Sequence, residues 1–251
     1  MRILITGAAG QVGRAVRKEL SAAGHLLRLA DIKPIENPEG ENLVLDVADW
    51  PAVRNATKDM DAVVHLAYGS ARVDDSDVDI RLNYDVNAKG THYLLLAAEQ
   101  CGVKRFIYTS TLSIFGTSLE LAAGNFDENS PPNPNFPYGL TKWMGEEACQ
   151  LFAKRGKLSI VCLRLCGVTL PQEWEEYRQW KPDFTNPRDR VQYGMATHVE
   201  DVARAIHLSL TAPNVRYEVI HIASDNKCRV TSIHRAKRML GFWPKHRLED
   251  V

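Results

Sequence analysis

The stretch Thr6-Gly7-Ala8-Ala9-Gly10-Gln11-Val12-Gly13 decides the fold of this 251-residue chain. It follows residues 2–6, a short apolar run that predicts a buried strand, and it opens residues 10–23, where apolar positions recur at helical spacing. Glycines between a strand and a helix let the backbone approach a pyrophosphate and aim the positive end of the helix at it. We therefore predict a dinucleotide-binding turn at the start of the chain.

Strand-like and helix-like segments alternate after this turn. The predicted strands are continuous apolar runs, a pattern typical of a parallel sheet covered on both faces. We expect strands at residues 2–6, 25–30, 42–45, 61–67, 105–109, 158–165 and 217–222, and helices at 10–23, 49–58, 79–101, 138–155, 198–210 and 232–240. The fold class is predicted to be α/β, a doubly wound parallel sheet of the Rossmann type.

The regular alternation breaks after Gly167, where residues 171–190 are polar and aromatic. We predict a dinucleotide-binding domain over residues 1–166 and a small substrate-binding region, with closing strand and helix elements, over 167–251.

Composition excludes several classes of partner. A formal net charge of zero argues against nucleic acid or an anionic membrane, and no run approaches the roughly 20 apolar residues that span a bilayer. The first residues form too short an apolar run for a signal peptide. The five cysteines are scattered and odd in number, which favours a reducing, cytoplasmic location and predicts no metal site.

Two carboxylates follow predicted strands on the side where a dinucleotide would lie. Asp31 ends the second strand, where a carboxylate accepts hydrogen bonds from the adenosine ribose and repels a 2′-phosphate, so NAD is preferred over NADP. Lys33, two residues further on, argues against this preference for NAD. Asp46 ends the third strand and is placed to accept from the adenine amino group. Either acid also fits a simple turn residue.

Tyr138 and Lys142 are four residues apart in a predicted helix and so face the same way. A phenol with a pKa near 10 is a poor base at neutral pH. An ammonium beside it favours the phenolate and lowers that pKa. This spacing predicts a catalytic base, Tyr138, tuned by Lys142.

These motifs, in this order, resemble the extended short-chain dehydrogenase/reductase family, the NAD-dependent sugar-nucleotide epimerase and dehydratase group. The resemblance also rests on Leu45-Asp46-Val47, His65-Leu66-Ala67-Tyr68, Asn87-Ala88-Lys89-Gly90-Thr91, Thr109-Ser110-Thr111, Leu163-Arg164 and His198-Val199-Glu200-Asp201-Val202-Ala203. It implies that NAD is the cofactor and that the glycine turn and some of these residues contact it. The implied contacts are Gly7, Gly10, Gln11 and Val12 with pyrophosphate, Asp46 and Val47 with adenine, and Leu66, Ala67, Tyr68 and Lys142 with the nicotinamide-side ribose. Asn87 would hold the long helix against the end of the fourth strand.

The family's third catalytic group is usually a serine, and the matching position here is Thr111. A threonine hydroxyl can orient a substrate hydroxyl beside Tyr138 in the same way. Neighbouring strand residues face opposite ways, so Ser110 and Thr111 are not expected to reach the site together. A hydroxyl that only caps the strand end is the alternative.

The short stretch between Gly167 and His198 resembles the uronate dehydrogenase subfamily, which oxidises the anomeric carbon of a free hexuronic acid to a lactone. The resemblance implies Arg178 as the clamp on the substrate carboxylate, since a guanidinium suits bidentate binding. It also implies sugar contacts from Ser70, Thr111 and Ser113. Two departures are Leu112 and Ser113, where that subfamily has an Asn-His pair.

Alternatives remain open at this point. The chain also fits a sugar-nucleotide epimerase or a non-catalytic NAD-binding regulator, and Arg178 also fits a solvated surface charge. The family resemblance further implies a homodimer through paired helices, with Tyr93, Leu94, Leu96, Trp143 and Met144 as apolar candidates.

Overall fold

The structure, a computed structural model, describes residues 1–36, 38–69, 77–116, 126–226 and 228–248. The strands of this part of the chain are β1 (Arg2–Thr6), β2 (Leu26–Asp31), β3 (Glu41–Val44), β4 (Ala62–His65), β5 (Arg105–Thr111), β6 (Ser159–Leu165), β7 (Val168–Thr169), β8 (Thr197–His198) and β9 (Tyr217–Ile222). Seven of them form one parallel sheet in the order β3-β2-β1-β4-β5-β6-β9, and β7 and β8 pair separately.

The helices are α1 (Gln11–Ala22), α2 (Trp50–Thr57), α3 (Asp77–Asn83), α4 (Thr91–Gln100), α5 (Pro137–Lys154), α6 (Pro171–Gln179), α7 (Pro187–Met195), α8 (Val199–Thr211) and α9 (His234–Leu240). Asp49 caps α2, since its carboxylate accepts from the Ala52 N–H at 3.2 Å, and Pro51 lies in the first turn.

Alternate residues of each strand pack under different helices. Ile3 and Ile107 lie in one core cluster with α1, α8 and α9, whereas Leu4 and Phe106 lie in the other with α2, α4 and α5. Burial on both faces explains why the strands are continuous apolar runs. The predicted α/β class, a doubly wound parallel sheet, is confirmed.

The predicted long helix contains a π-helical turn, Tyr84–Gly90, between α3 and α4. Such an insertion rotates the residues that follow and is frequent at functional sites. Asn87 lies in this turn and is fully buried.

The polar and aromatic residues 171–190, for which the sequence predicted no element, include α6 and the start of α7. Trp174 is buried with Tyr193 and Leu248 in a small cluster of its own. These helices are therefore stabilised by contacts with residues far along the chain, which an apolar repeat does not reveal.

The sheet is completed by residues beyond 166. Strand β9 pairs with β6, and α8 packs against α1. The buried Asp201 carboxylate accepts from the backbone N–H groups of Lys245 and His246, which ties the C-terminal segment to α8. Among the described residues, no helix is long and apolar enough to cross a membrane.

Candidate active site

A central cavity of about 460 Å³ lies where β1, β4, β5 and β6 end. Ligand sites in parallel α/β sheets form at these carboxyl ends. Of the residues predicted from sequence, it is lined by Gly7, Gly10, Gln11, Val12, Leu66, Tyr68, Thr111, Tyr138 and Lys142. Residues as distant in sequence as Gly7 and Lys142 thus meet in one place.

The glycine turn brings two chain segments into close approach. Gly7 has a φ of +71°, and a Cβ there would lie 2.6 Å from the Ala67 nitrogen. Gly10 is the N-cap of α1 and has no side chain to accept from the amides of the first turn. Those amides and the helix dipole therefore suit an anionic group in the cavity, and the turn fits a pyrophosphate.

A smaller outer cavity of about 160 Å³ shares Gly7, Gly10, Leu66 and Tyr68 with the central one. The predicted residues Asp31, Asp46, Val47 and Ala67 also line it.

The carboxylates of the outer cavity are fixed by backbone amides. Asp31 accepts from the N–H groups of Ala9 at 2.9 Å and Lys33 at 3.1 Å, and Asp46 accepts from Ala48 at 2.8 Å. A small cavity lined by apolar residues and by these two carboxylates fits the adenosine half of a dinucleotide.

Tyr138 lies in the first turn of α5, and its phenol is close enough to interact with the hydroxyl of Thr111, which lines the same cavity. Thr111 in turn accepts from the Ser113 N–H and donates to the Ser113 hydroxyl, both at 3.1 Å. Burial raises the pKa of Tyr138 to about 12, the nearby Tyr68 phenol adds to the rise, and the interaction with Thr111 opposes it. The hydroxyl pair is the arrangement predicted for catalysis.

Lys142 is buried one turn further along α5, and its Nζ lies 4.3 Å from the centre of the Tyr108 ring. Burial lowers the pKa of Lys142 to about 7. The expectation that Lys142 lowers the pKa of Tyr138 is wrong for this arrangement, because desolvation dominates at both groups.

Asn87 contacts the site through the backbone rather than lining a described cavity. Its side chain accepts from the Gly69 N–H at 2.9 Å and donates to the Gly69 carbonyl at 3.0 Å and to Thr141 at 3.0 Å. It therefore joins the chain after β4 to α5, close to the holding role expected of it. Ser70, expected to contact sugar, lies outside the described residues.

His65 is a buried structural residue. Its ring nitrogens contact the hydroxyls of Thr6 at 2.7 Å and Thr91 at 2.9 Å.

Arg178 does not reach the site. Its side chain is 52% exposed and pairs with Glu175 at 2.9 Å on the surface of α6, so the predicted carboxylate clamp is not supported at this position. A side cavity of about 620 Å³ shares Val168 with the central cavity and is lined instead by Arg188, with Gln192 one turn on. Ser113 lines neither of these two cavities, although it holds Thr111.

Sequence reasoning missed several lining residues. Cys166 and Val168 follow β6, and the rule that sites form at strand ends would have found them. Ser110 also lines the central cavity, contrary to expectation, because β5 ends beside it at Thr111; its hydroxyl is buried and has no hydrogen-bond partner among the described residues. No sequence signal distinguishes Arg188 from Arg178.

The sheet, the glycine turn and the tyrosine–lysine pair at one cavity define a nicotinamide-dependent enzyme of the extended short-chain dehydrogenase/reductase type. The chain belongs to the NAD dependent epimerase/dehydratase family, whose model matches residues 3–184.

Similar proteins include sugar dehydrogenases. A uronate dehydrogenase of Pseudomonas syringae pv. tomato is 29% identical over 90% of this chain and 75% of its own length. An L-arabinose 1-dehydrogenase (NAD(P)(+)) of Haloferax volcanii is 28% identical over 97% and 96%, respectively. The solved structure of a glucuronic acid dehydrogenase from Chromohalobacter salexigens has a TM-score of 0.80 at 27% identity, covering 99% of this chain and 85% of that one.

Proposed function

We propose that this protein is an NAD-dependent dehydrogenase that oxidises the anomeric carbon of a free hexuronic acid. The observation that carries the proposal is the Tyr138–Thr111 hydroxyl pair, which lies in the central cavity beside a second cavity lined by Arg188. The similarity to uronate and sugar 1-dehydrogenases supports both the reaction type and the substrate class.

The reacting sugar hydroxyl is held between Thr111 and Tyr138. Tyr138 Oη, as phenolate, takes the hydroxyl proton, and the C–O bond becomes the carbonyl of the lactone as the carbon loses hydride. The chemistry that bound NAD supplies is acceptance of this hydride. Lys142, which is buried and lines the cavity, would hydrogen-bond the cofactor ribose, and Thr111 would fix the angle of the substrate hydroxyl.

The cofactor contacts follow from the two cavities. Gly7, Gly10, Gln11 and Val12 hold pyrophosphate, and Asp31, Asp46 and Val47 hold adenosine. Since both Asp31 oxygens are fixed by amides beside the ribose position, the carboxylate repels a 2′-phosphate and NAD is favoured over NADP.

The substrate carboxylate is assigned to Arg188 in the side cavity. Arg188 is at the second position of α7, where the helix dipole adds to its positive charge. Glu173 also lines this cavity, but its carboxylate accepts from the Leu170 N–H at 2.7 Å and is directed at the start of α6. Glu176 also lines this cavity, and its negative charge disfavours a bound carboxylate. The attraction of that carboxylate to Arg188 therefore has to exceed its repulsion by Glu176.

A sugar-nucleotide epimerase is the second candidate. The observation that favours it is the size of the side cavity, about 620 Å³, which exceeds what a single free sugar needs. In that reaction the hydride returns to the opposite face of the same carbon, so reduced cofactor does not accumulate.

Further proposals concern assembly and location. Met144 and Leu151 are 41% and 53% exposed and seven residues apart on α5, so they share a face that suits a homodimer; Leu94, by contrast, is fully buried in the core. A dimer mass by light scattering, lost in Leu151→Asp, would support this. The free cysteines, three of them buried, fit a reducing cytoplasm.

The deciding experiment is NADH formation by the purified protein with NAD and a panel of sugars. The panel contains D-galacturonate, D-glucuronate, the matching neutral aldoses and nucleotide-linked hexuronic acids. Rapid NADH formation with a uronate, abolished in Tyr138→Phe without loss of NAD binding, is the expected result. Epimerised product without NADH would replace the proposal by the second candidate.

A further inference from the structure

Tyr68 has a large aromatic side chain at the mouth of the site. It is 60% exposed, yet it lines both the central cavity and the outer cavity. What sets Tyr68 apart from other exposed aromatic residues, such as Trp243, is that it lines these two cavities.

The backbone beneath this side chain is rigid. Gly69 is bound at both its N–H and its carbonyl by the buried Asn87 side chain, and a Cβ at Gly69 would lie 2.9 Å from the Leu82 carbonyl oxygen. Tyr68 is therefore presented from a fixed point, although its ring is exposed.

The Tyr68 ring lies beside the proposed catalytic base. Its centre is 6.2 Å from the centre of the Tyr138 ring, in an edge-to-face arrangement. A sugar whose hydroxyl is hydrogen-bonded to Tyr138 Oη would occupy the cavity that Tyr68 also lines, next to the Tyr68 ring. The C–H face of a sugar packs well on an aromatic ring, which also keeps water from the reacting carbon.

We propose that Tyr68 is a substrate-contacting residue, whose ring packs against the sugar held by Tyr138 and Thr111 and so sets its orientation. This inference rests on the proposed function in requiring a sugar at Tyr138, but it does not depend on which sugar it is.

The Tyr68 phenol has a second effect on the same site. It raises the pKa of Tyr138, because a second phenolate beside the first is unfavourable. Among the described residues, Thr111, Lys142 and Cys166 line the same cavity as Tyr138, and Tyr108 interacts electrostatically with it; all four are buried, whereas Tyr68 is exposed. Replacing Tyr68 with Phe keeps the packing surface and removes this electrostatic effect.

The test compares Tyr68→Ala and Tyr68→Phe with Tyr84→Ala, a control at a tyrosine that is 41% exposed and lines none of the three cavities. We expect Tyr68→Ala to raise the KM for the sugar about tenfold, the loss of one aromatic contact, and to weaken NAD binding by a smaller factor, since Tyr68 also lines the outer cavity. Tyr68→Phe should keep the KM and move the rising limb of the pH–rate profile, which follows the deprotonation of Tyr138, to lower pH. Tyr84→Ala should change neither.

An unchanged KM in Tyr68→Ala, or an equal loss of NAD affinity, would overturn the inference. Failure of the proposed function alone would give a result that differs from these two outcomes. If a nucleotide-linked sugar proves to be the substrate, the uronate proposal is lost, and the Tyr68 variants are measured on that sugar. If no sugar in the panel turns over, and calorimetry shows that none binds to NAD-loaded Tyr138→Phe, both the proposed function and the role of Tyr68 are overturned.

Discussion

Tyr108 contacts Lys142 at two points: its hydroxyl donates to the Lys142 carbonyl oxygen at 3.2 Å, and its ring centre lies 4.3 Å from Lys142 Nζ. The approach is possible because residue 145 is glycine, since a Cβ there would overlap the Tyr108 hydroxyl. The ring favours the ammonium form through a cation–π contact, which offsets part of its desolvation. Lys142 lines the cavity, and the nearby Cys149, Glu146 and Cys162 side chains also favour its charged form.

The buried Lys142 predicts a pH dependence of stability. Its pKa is about 7 in the folded protein against 10.5 as the ordinary value, so between these the unfolded chain binds more protons. Unfolding free energy should therefore rise with pH from about 7 upward, by up to about 1.4 kcal/mol per pH unit. Lys142→Met should lose this slope. This slope is measured by urea denaturation of both proteins between pH 7 and about 9, below the range in which the buried thiols titrate. The same dependence of unfolding free energy on pH in both proteins would contradict the low pKa of Lys142.

Gly7→Ala should destabilise the protein and abolish NAD binding. The new Cβ is strained at φ +71° and meets the backbone of Ala67, so either the turn or the segment after β4 has to move. We expect a loss of at least about 2 kcal/mol. Gly24→Ala is the matched control, because φ is +78° there but nothing lies within 4 Å of the new Cβ. It should cost about 1 kcal/mol and leave NAD binding intact. Equal losses in the two variants would show that the close approach at Gly7 is unimportant.

Asp31→Ser should shift cofactor preference toward NADP. The change removes the negative charge at the ribose position, so the ratio of kcat/KM for NADP to that for NAD should rise by about tenfold or more. Asp31→Asn removes the charge but keeps the hydrogen bond, because an amide oxygen can still accept from the Ala9 N–H. If charge repulsion sets the cofactor preference, the Asn and Ser variants should shift it equally. An unchanged preference in both variants would show that Asp31 does not determine it.

Arg188→Ala should weaken the use of uronates selectively. Loss of one charge-assisted, bidentate partner should lower kcat/KM for D-galacturonate by about 100-fold, or about 2.7 kcal/mol, while activity on the neutral aldose stays the same. Arg178→Ala is the control, since that side chain pairs with Glu175 at the surface. The opposite pattern, with Arg178→Ala harmful and Arg188→Ala silent, would restore the assignment made from sequence.

The parts of the fold that could be predicted are those with local causes. Buried strands show as apolar runs, and the glycine turn and the Tyr138–Lys142 spacing each lie within a few residues. The order of these segments was enough to place Gly7, Thr111 and Tyr138 at one cavity, because parallel strands end on the same side of a sheet.

The rest depends on contacts between distant residues. Helices α6 and α7 are held by the packing of Trp174 and Tyr193 with Leu248, more than 50 residues further on. Whether Arg178 or Arg188 faces the cavity depends on how those helices lie. The direction of the pKa change at Tyr138 was missed because its burial outweighs the effect of a neighbouring amine, and burial is not visible in a spacing of four residues.

The most direct test of the central claim is hydride transfer from a uronate labelled with deuterium at the anomeric carbon. The protein is incubated with NAD and the labelled D-galacturonate or D-glucuronate, and sugar and cofactor are analysed by mass spectrometry. Tyr138 and Thr111 hold the anomeric hydroxyl in this account, so deuterium should appear in the reduced cofactor in equal amount to the lactone formed, and Tyr138→Phe should transfer none. Deuterium that stays on the sugar, with no reduced cofactor, would contradict oxidation at that carbon.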